Sequence, residues 1–171
     1  MGVFEGLKPE AVWGYFEEIC QVPRPSKKEG KIVAYLLDWA KKHHLEAKRD
    51  EAGNVLIKKP ATRGKENAPT VILQAHMDMV PQKNNDTVHD FEKDPIETYI
   101  DGDWVKAKGT TLGADNGLGV AAIMAVLEAK DLKHGPLEAL ITKDEETGMY
   151  GAFGLKPGTV NGEILLNLDS E

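Results

Sequence analysis

Cysteine is almost missing from this chain. Cys20 stands alone among 171 residues, so no internal disulfide can staple the fold, and its place in an apolar helical stretch reads as a buried thiol rather than a nucleophile. Serine is nearly as scarce: only Ser26 and Ser170 occur, and neither sits in a Gly-x-Ser-x-Gly elbow, which excludes a serine hydrolase. Basic runs and RNA-motif aromatics are lacking too. With 28 acidic against 21 basic residues the formal charge is -7, which argues against a nucleic-acid partner. The longest unbroken apolar run, residues 120–127, is far short of the ~20 residues that span a bilayer. The N-terminus has neither the basic head and apolar stretch of a leader nor a Ser or Thr at position 6 for myristoylation. No membrane partner is expected, and a cytoplasmic location follows.

What is present is enough for one core of ordinary size, since 41% of the residues are hydrophobic. Residues 9–20 and 27–44 read as helices; in the second, Ile32, Val33, Leu36, Leu37 and Ala40 share a face, with Ser26 as N-cap and Glu29 three residues on. Pro23 and Pro25 separate them. Residues 45–50 and 54–58 read as a hairpin, 60–69 as an exposed loop, and 96–100 with 104–107 as a second hairpin turned at Asp101-Gly102-Asp103. Three further runs, 71–73, 137–142 and 164–168, are continuously apolar, as expected of strands covered on both faces. Between the first two, residues 117–130 form a helix with a small-residue face of Leu118, Ala121, Ala122, Ala125 and Ala129. The sum is an α/β layered domain with a mixed sheet, because hairpins are included.

Each apolar run is followed by ligand-type residues: His76-Met77-Asp78, Asp144-Glu145-Glu146, and Asp169. In open α/β sheets functional groups converge at the carboxyl ends of the strands, so these distant residues are expected to share one crevice. A further acid, Asp115, lies in Leu112-Gly113-Ala114-Asp115-Asn116-Gly117, where glycine lets the backbone turn tightly. Several carboxylates in one crevice raise one another's pKa unless cations intervene. Asp115, Glu146 and Asp169 with a bridging hydroxide match the charge of two divalent ions, and a carboxylate between such ions screens their repulsion, a place assigned here to Asp115. Asp78 reads as the partner that fixes the tautomer of His76, because the period of two along an extended chain puts both side chains on one side. Glu145 and Glu146 would face opposite ways on a strand. The chain must therefore leave the strand there, as Thr147-Gly148 permits, so that one binds metal while the other moves protons.

Residues 74–81, 112–117, 142–148 and 168–171 together resemble the M20 family of metallopeptidases, with wording closest to its aminoacyl-histidine dipeptidases. The similarity runs from the first helix to the last residue. It implies a layered α/β/α zinc-peptidase-like fold with a mixed, partly parallel sheet, of which residues 1–171 are the N-terminal part of the catalytic domain. Family members carry a lid domain and a C-terminal catalytic remainder beyond this region. The resemblance also implies that His76, Asp115 and Asp169 hold one zinc and that Asp115, Glu146 and a much later histidine hold the other; carboxylate-rich, one-imidazole coordination suits cobalt or manganese as well. Glu145 is then the general base, Asp78 orients His76, and the peptide bond after Asp115 is cis. The implied activity is hydrolysis of dipeptides or short peptides, Xaa-His dipeptides first, by a homodimeric complete enzyme.

Two alternatives stay open: an inactive metal-binding fragment of such an enzyme, and a deacylase or other amide hydrolase with the same centre. A dinucleotide module does not. Residues 117–122 fit the loose Gly-x-Gly-x-x-Gly/Ala form, but no apolar strand runs into these glycines and they lie within a helix. His43, His44 and His89 read as ordinary histidines, and Lys41, Lys42 and Lys48 as a solvated surface.

Overall fold

A proline starts the first helix: Pro9 caps α1 (Glu10–Cys20), whose Tyr15, Phe16, Ile19 and Cys20 fall on one buried face. The computed structural model describes residues 2–169, so Ser170 and Glu171, which close the fourth motif, lie outside the described residues. α2 (Gly30–Lys42) buries Ile32, Val33, Leu36, Trp39 and Ala40, while Leu37 is only half-buried. The expected cap does not form. Glu29 takes the cap position and accepts the Lys27 N–H at 2.9 Å, and Ser26 donates its hydroxyl to Asp78 instead, because an ionised acceptor makes the stronger bond.

β1 (Glu46–Arg49) and β2 (Val55–Lys59) form the expected antiparallel hairpin. β3 (Val71–His76) follows, then the separate hairpin of β4 (Thr98–Asp101) and β5 (Trp104–Ala107), helix α3 (Ala114–Glu128), β6 (Leu137–Thr142), the one-turn α4 (Tyr150–Phe153) and β7 (Ile164–Asn167). The main sheet has the order β1-β2-β6-β3-β7, with β3, β6 and β7 parallel and β2 antiparallel to β6. It is mixed, as the hairpins imply. Period-two alternation sends Val55, Ile57, Leu73, Ala75, Ala139 and Ile141 toward the three long helices, and Leu56, Ile72 and Leu140 to the opposite face, where Leu155 and Val160 meet them.

Two expectations need correction. The apolar run at 164–168 is not covered on both faces: among the described residues β7 pairs only with β3, and Ile164, Leu165 and Leu166 are 45%, 54% and 50% exposed. An edge strand without a helix over it has nothing to bury against. Nor does α3 pack by a small-residue face. Val120, Ala121, Ile123, Met124 and Leu127 are buried while Leu118, Ala122 and Ala125 are half-buried and Ala129 caps the helix, because a helix apolar nearly all round is sided by its neighbours α1 and β3. Cys20 is buried as expected, and burial pushes its thiol up to about 12. Among the described residues no helix is long and apolar enough to cross a membrane.

Candidate metal centre

Parallel pairing puts three strand ends side by side. His76 ends β3 opposite Thr142, the last residue of β6, and the pairing continues one step as Met77 N–H donates to Thr142 O at 2.8 Å. On the other side Asn167 of β7 faces Gln74, and Leu168 N–H donates to Gln74 O, so Asp169 emerges beside His76. Asp115 arrives from the start of α3. There Asp115 and Asn116 have non-helical backbone angles, the bond between them is cis, and regular helix begins at Gly117. The chain leaves β6 as its sequence requires: Asp144 and Met149 adopt positive φ, and the N–H groups of Gly148 and Met149 turn back onto Glu145 O.

The imidazole lies at the centre of these ends, 1% exposed. Its Nε2 is 3.0 Å from Asp115 Oδ1, 3.6 Å from Asp169 Oδ2 and 3.8 Å from Glu145 Oε2. Nδ1 faces Asp78, 3.3 Å from Oδ1 and 3.1 Å from the carbonyl oxygen. Burial works against a charged ring here, but Asp78, Asp115 and Asp169 outweigh it and raise the His76 pKa to about 9. Asp78 is wholly buried. Desolvation opposes its charge, yet His76, the Glu145 N–H at 3.0 Å and the Ser26 hydroxyl at 2.7 Å hold its carboxyl below the ordinary value. A second N–H, from Glu146, reaches Asp78 Oδ2 at 3.3 Å. Asp78 therefore anchors the acidic loop as well as the ring.

Glu145 and Glu146 have raised pKa values, first because they are partly desolvated; nearby carboxylates, Asp169 for one and Asp115 for the other, push the same way. Donor atoms of His76, Asp115 and Glu146 lie within 4.8 Å of one another, and so do those of His76, Glu145 and Asp169. His76 is common to both groups, whereas Asp115, the expected bridge, belongs to one. One imidazole with four carboxylates is a donor set that suits zinc, cobalt or manganese, and a divalent charge would relieve the burial and the neighbouring carboxylates that oppose the charge of Glu145 and Glu146. Exposure is graded across the cluster, from the buried ring through Asp169 at 27% and Glu145 at 31% to Asp115 at 65%.

Four supporting residues were not legible as such. Arg24 and Ser26 sit in Pro23-Arg24-Pro25-Ser26, where the prolines read as a break between helices and Ser26 as a helix cap; yet Arg24 is 2% exposed and donates to Met77 O, Asp78 O and Gly113 O. Asn116 Nδ2 donates to Leu168 O at 3.1 Å and Asp169 Oδ1 at 3.0 Å. Asn54, which opens the 54–58 arm of the first hairpin, joins the β1–β2 turn to the acidic loop through Gly151 O and Lys143 N. A lone arginine between two prolines was the available signal; the asparagines offered none.

Imidazole and carboxylate donors gathered at the ends of parallel strands in a mixed sheet define an α/β domain of the metallohydrolase type. Residues 72–163 match the model of peptidase family M20/M25/M40, and the chain belongs to that family, whose enzymes are metal-dependent. It is 56% identical over 171 residues to the cytosol non-specific dipeptidase of Escherichia coli K12, covering all of this chain and 35% of that protein. The crystal structure of aminoacylhistidine dipeptidase from Vibrio alginolyticus superposes with a TM-score of 0.95 at 56% identity, covering 100% of this chain and 36% of that one. Aminopeptidase PepT of Bacillus cereus matches with a TM-score of 0.80 at 27% identity over 95% of this chain and 43% of its own. The chain thus spans about a third of the length of the dipeptidases it matches.

Proposed function

We propose that this chain supplies the N-terminal catalytic part of a metal-dependent dipeptidase, and that the longer protein hydrolyses the peptide bond of dipeptides or short peptides, Xaa-His dipeptides first. The observation that carries the reading is the convergence of Asp115, Glu145 and Asp169 within 3.8 Å of His76 Nε2 at the ends of parallel strands. The names of relatives at 56% identity support the substrate class. His76, Asp115, Glu146 and Asp169 are the residues that would hold two divalent ions, zinc by preference. When bound, such ions supply Lewis-acid polarisation and balance the carboxylate charge.

The remaining chemistry belongs to the chain itself. Asp78 accepts the Nδ1 proton of His76 and so aims Nε2 into the cluster. Glu145 is partly exposed and has a raised pKa, which suits a base that takes the proton of the attacking water at a carboxylate oxygen and returns it to the leaving amine nitrogen. The lid domain and the C-terminal remainder of the catalytic domain are assigned to the additional length seen in the relatives, a reading that the uncovered β7 supports. A homodimer is assigned to the longer protein, and the cytosol as its location.

Paired variants test the assignment. Glu145→Gln should keep bound metal while lowering turnover of the longer enzyme by about 10²–10⁴-fold, and His76→Ala should lower bound metal in elemental analysis. Normal turnover in the first or unchanged stoichiometry in the second ends the corresponding role. A second reading, that the 171-residue chain binds metal without turnover, is favoured by its 35% share of the E. coli relative. Assay of this chain on a dipeptide and on an N-acyl amino acid separates it from the peptidase and from the deacylase.

A further inference from the structure

Arg24 is a costly residue to find in this place. It is 2% exposed and meets only neutral carbonyl oxygens: Nη1 donates to Met77 O at 3.2 Å and Asp78 O at 3.3 Å, and Nη2 to Gly113 O at 2.6 Å. Among the described residues no carboxylate forms an ion pair with it. Burying a cation with no carboxylate in direct contact is unfavourable, since Asp78 and Asp115 offset its charge only from beyond ion-pair distance, and an apolar side chain would fill the same volume without that cost. The guanidinium does one thing an apolar group cannot. It joins the chain just after His76 to the chain two residues before Asp115, segments far apart in sequence whose side chains meet at 3.0 Å.

The rest of the seat is built to match. Met79 N–H donates to Arg24 O and Ser26 N–H to Met79 O, both at 3.2 Å, so the arginine's own backbone is docked alongside the extension of β3. A Cβ added at Gly113 would come within 2.5 Å of Arg24 Nη2, and one at Gly117 within 2.7 Å of it. Gly113 is also required by its positive φ of 72°, but Gly117 starts regular helix, where glycine is disfavoured and no backbone angle demands it. Room for the guanidinium, and for Phe16 Cε2, which the same added Cβ would meet at 3.0 Å, explains the glycine.

We propose that Arg24 is a positioning residue of the metal centre: it fixes His76 against Asp115 by gripping the backbone on both sides, in a seat that Gly113 and Gly117 leave open. The inference rests on the metal-centre reading above. Its sign is diagnostic. A positive charge near Asp78 and Asp115 opposes divalent cations, so if Arg24 acted by charge, or merely filled space, neutralising it would leave metal binding unchanged or tighten it. Positioning predicts the reverse. Lysine is no substitute, because a single ammonium cannot reproduce a planar fork that reaches two segments.

The test is titration of the full 171-residue chain with Co²⁺, followed by calorimetry and by the d–d absorption of the bound ion. Arg24→Met and Arg24→Lys should each bind Co²⁺ at least about tenfold more weakly, with an altered spectrum, as when partners behind a ligand are removed. Gly117→Ala, which keeps the charge and improves helix propensity, should shift both readouts in the same direction. Wild-type affinity and spectrum in Arg24→Met overturn the proposal. If Arg24→Met does not fold by circular dichroism, Gly117→Ala decides, and unchanged Co²⁺ binding there overturns it; failure of all three variants to fold makes the role structural and also overturns it. Absence of Co²⁺ binding by the wild-type chain is a separate result, which removes the metal-centre reading and this inference with it.

Discussion

β6 and β7 begin as the same sentence in the sequence: an apolar run, then acids. In space they differ at every step. β6 lies between β2 and β3 with all six residues buried, whereas β7 lies at the sheet's edge with all four exposed. The acids that follow inherit the contrast. Glu145 and Glu146 are held through their own backbone N–H groups by the buried Asp78, and Asn54 grips the loop from behind. Asp169 Oδ1 accepts from the side-chain amide of Asn116, while its N–H donates to Asn167 Oδ1. One half of the donor cluster is set in a finished core, and the other hangs on an edge.

The sharpest way to break this contrast is to truncate one residue from each strand. Ile141→Ala, at a fully buried position in β6, should cost about 2–5 kcal/mol in urea denaturation, the range for deleting a core aliphatic side chain. Leu166→Ala in β7 should cost less than about 1 kcal/mol, since half its surface is already in water. Comparable losses would mean that β7 is as much part of the cooperative core as β6.

The next effect in size is electrostatic and lies at the end of β3. In chain freed of metal by a chelator, His76 has a folded-state pKa of about 9 against an ordinary 6.5, so the folded state binds the extra proton. The stability this contributes is complete below pH 6.5 and is lost as pH rises through about 9, on the order of 3 kcal/mol in all. Glu145 and Glu146, whose carboxyls are also raised, have the same sign beginning at their own ordinary value, so they do not offset the slope. The melting temperature should therefore fall between pH 6.5 and 9.5, and His76→Gln should flatten the fall; an unchanged slope in that variant would place the titration elsewhere.

Much of this arrangement is legible in the sequence, and the part that is not has a physical reason. Apolar runs ending in His76, Asp144-Glu145-Glu146 and Asp169 announce strands with polar ends, and parallel pairing then brings those ends together with no further information needed. What the runs do not encode is rank within the sheet. Ile164, Leu165 and Leu166 look as buried as Leu140 and Ile141, because apolarity records what a strand can bury against and not what is there to cover it. The support behind the donors is hidden for another reason: Arg24, Asn54 and Asn116 act by hydrogen bonds with backbone groups that come within reach only once the chain has folded. Ser26 shows the competition directly, since its local pattern spells a helix cap and a buried carboxylate 52 positions away takes the hydroxyl instead.

The smallest predicted effect is the most specific. Asn116 donates twice, to Leu168 O and Asp169 Oδ1, but its own Oδ1 is buried without a hydrogen-bond partner among the described residues. Asn116→Ala therefore removes two favourable contacts and at the same time relieves a desolvated acceptor. The terms oppose each other, and the net change in global stability should stay within about 1 kcal/mol. Local order should respond more. Amide hydrogen exchange at Leu168 and Asp169 should quicken, while Ala139 and Ile141 in β6 exchange as before, because the lost bonds tie down only the end of β7. If exchange at Leu168 is unaltered, its own bond to Gln74 O is sufficient, and the edge strand delivers Asp169 to the cluster without help from α3.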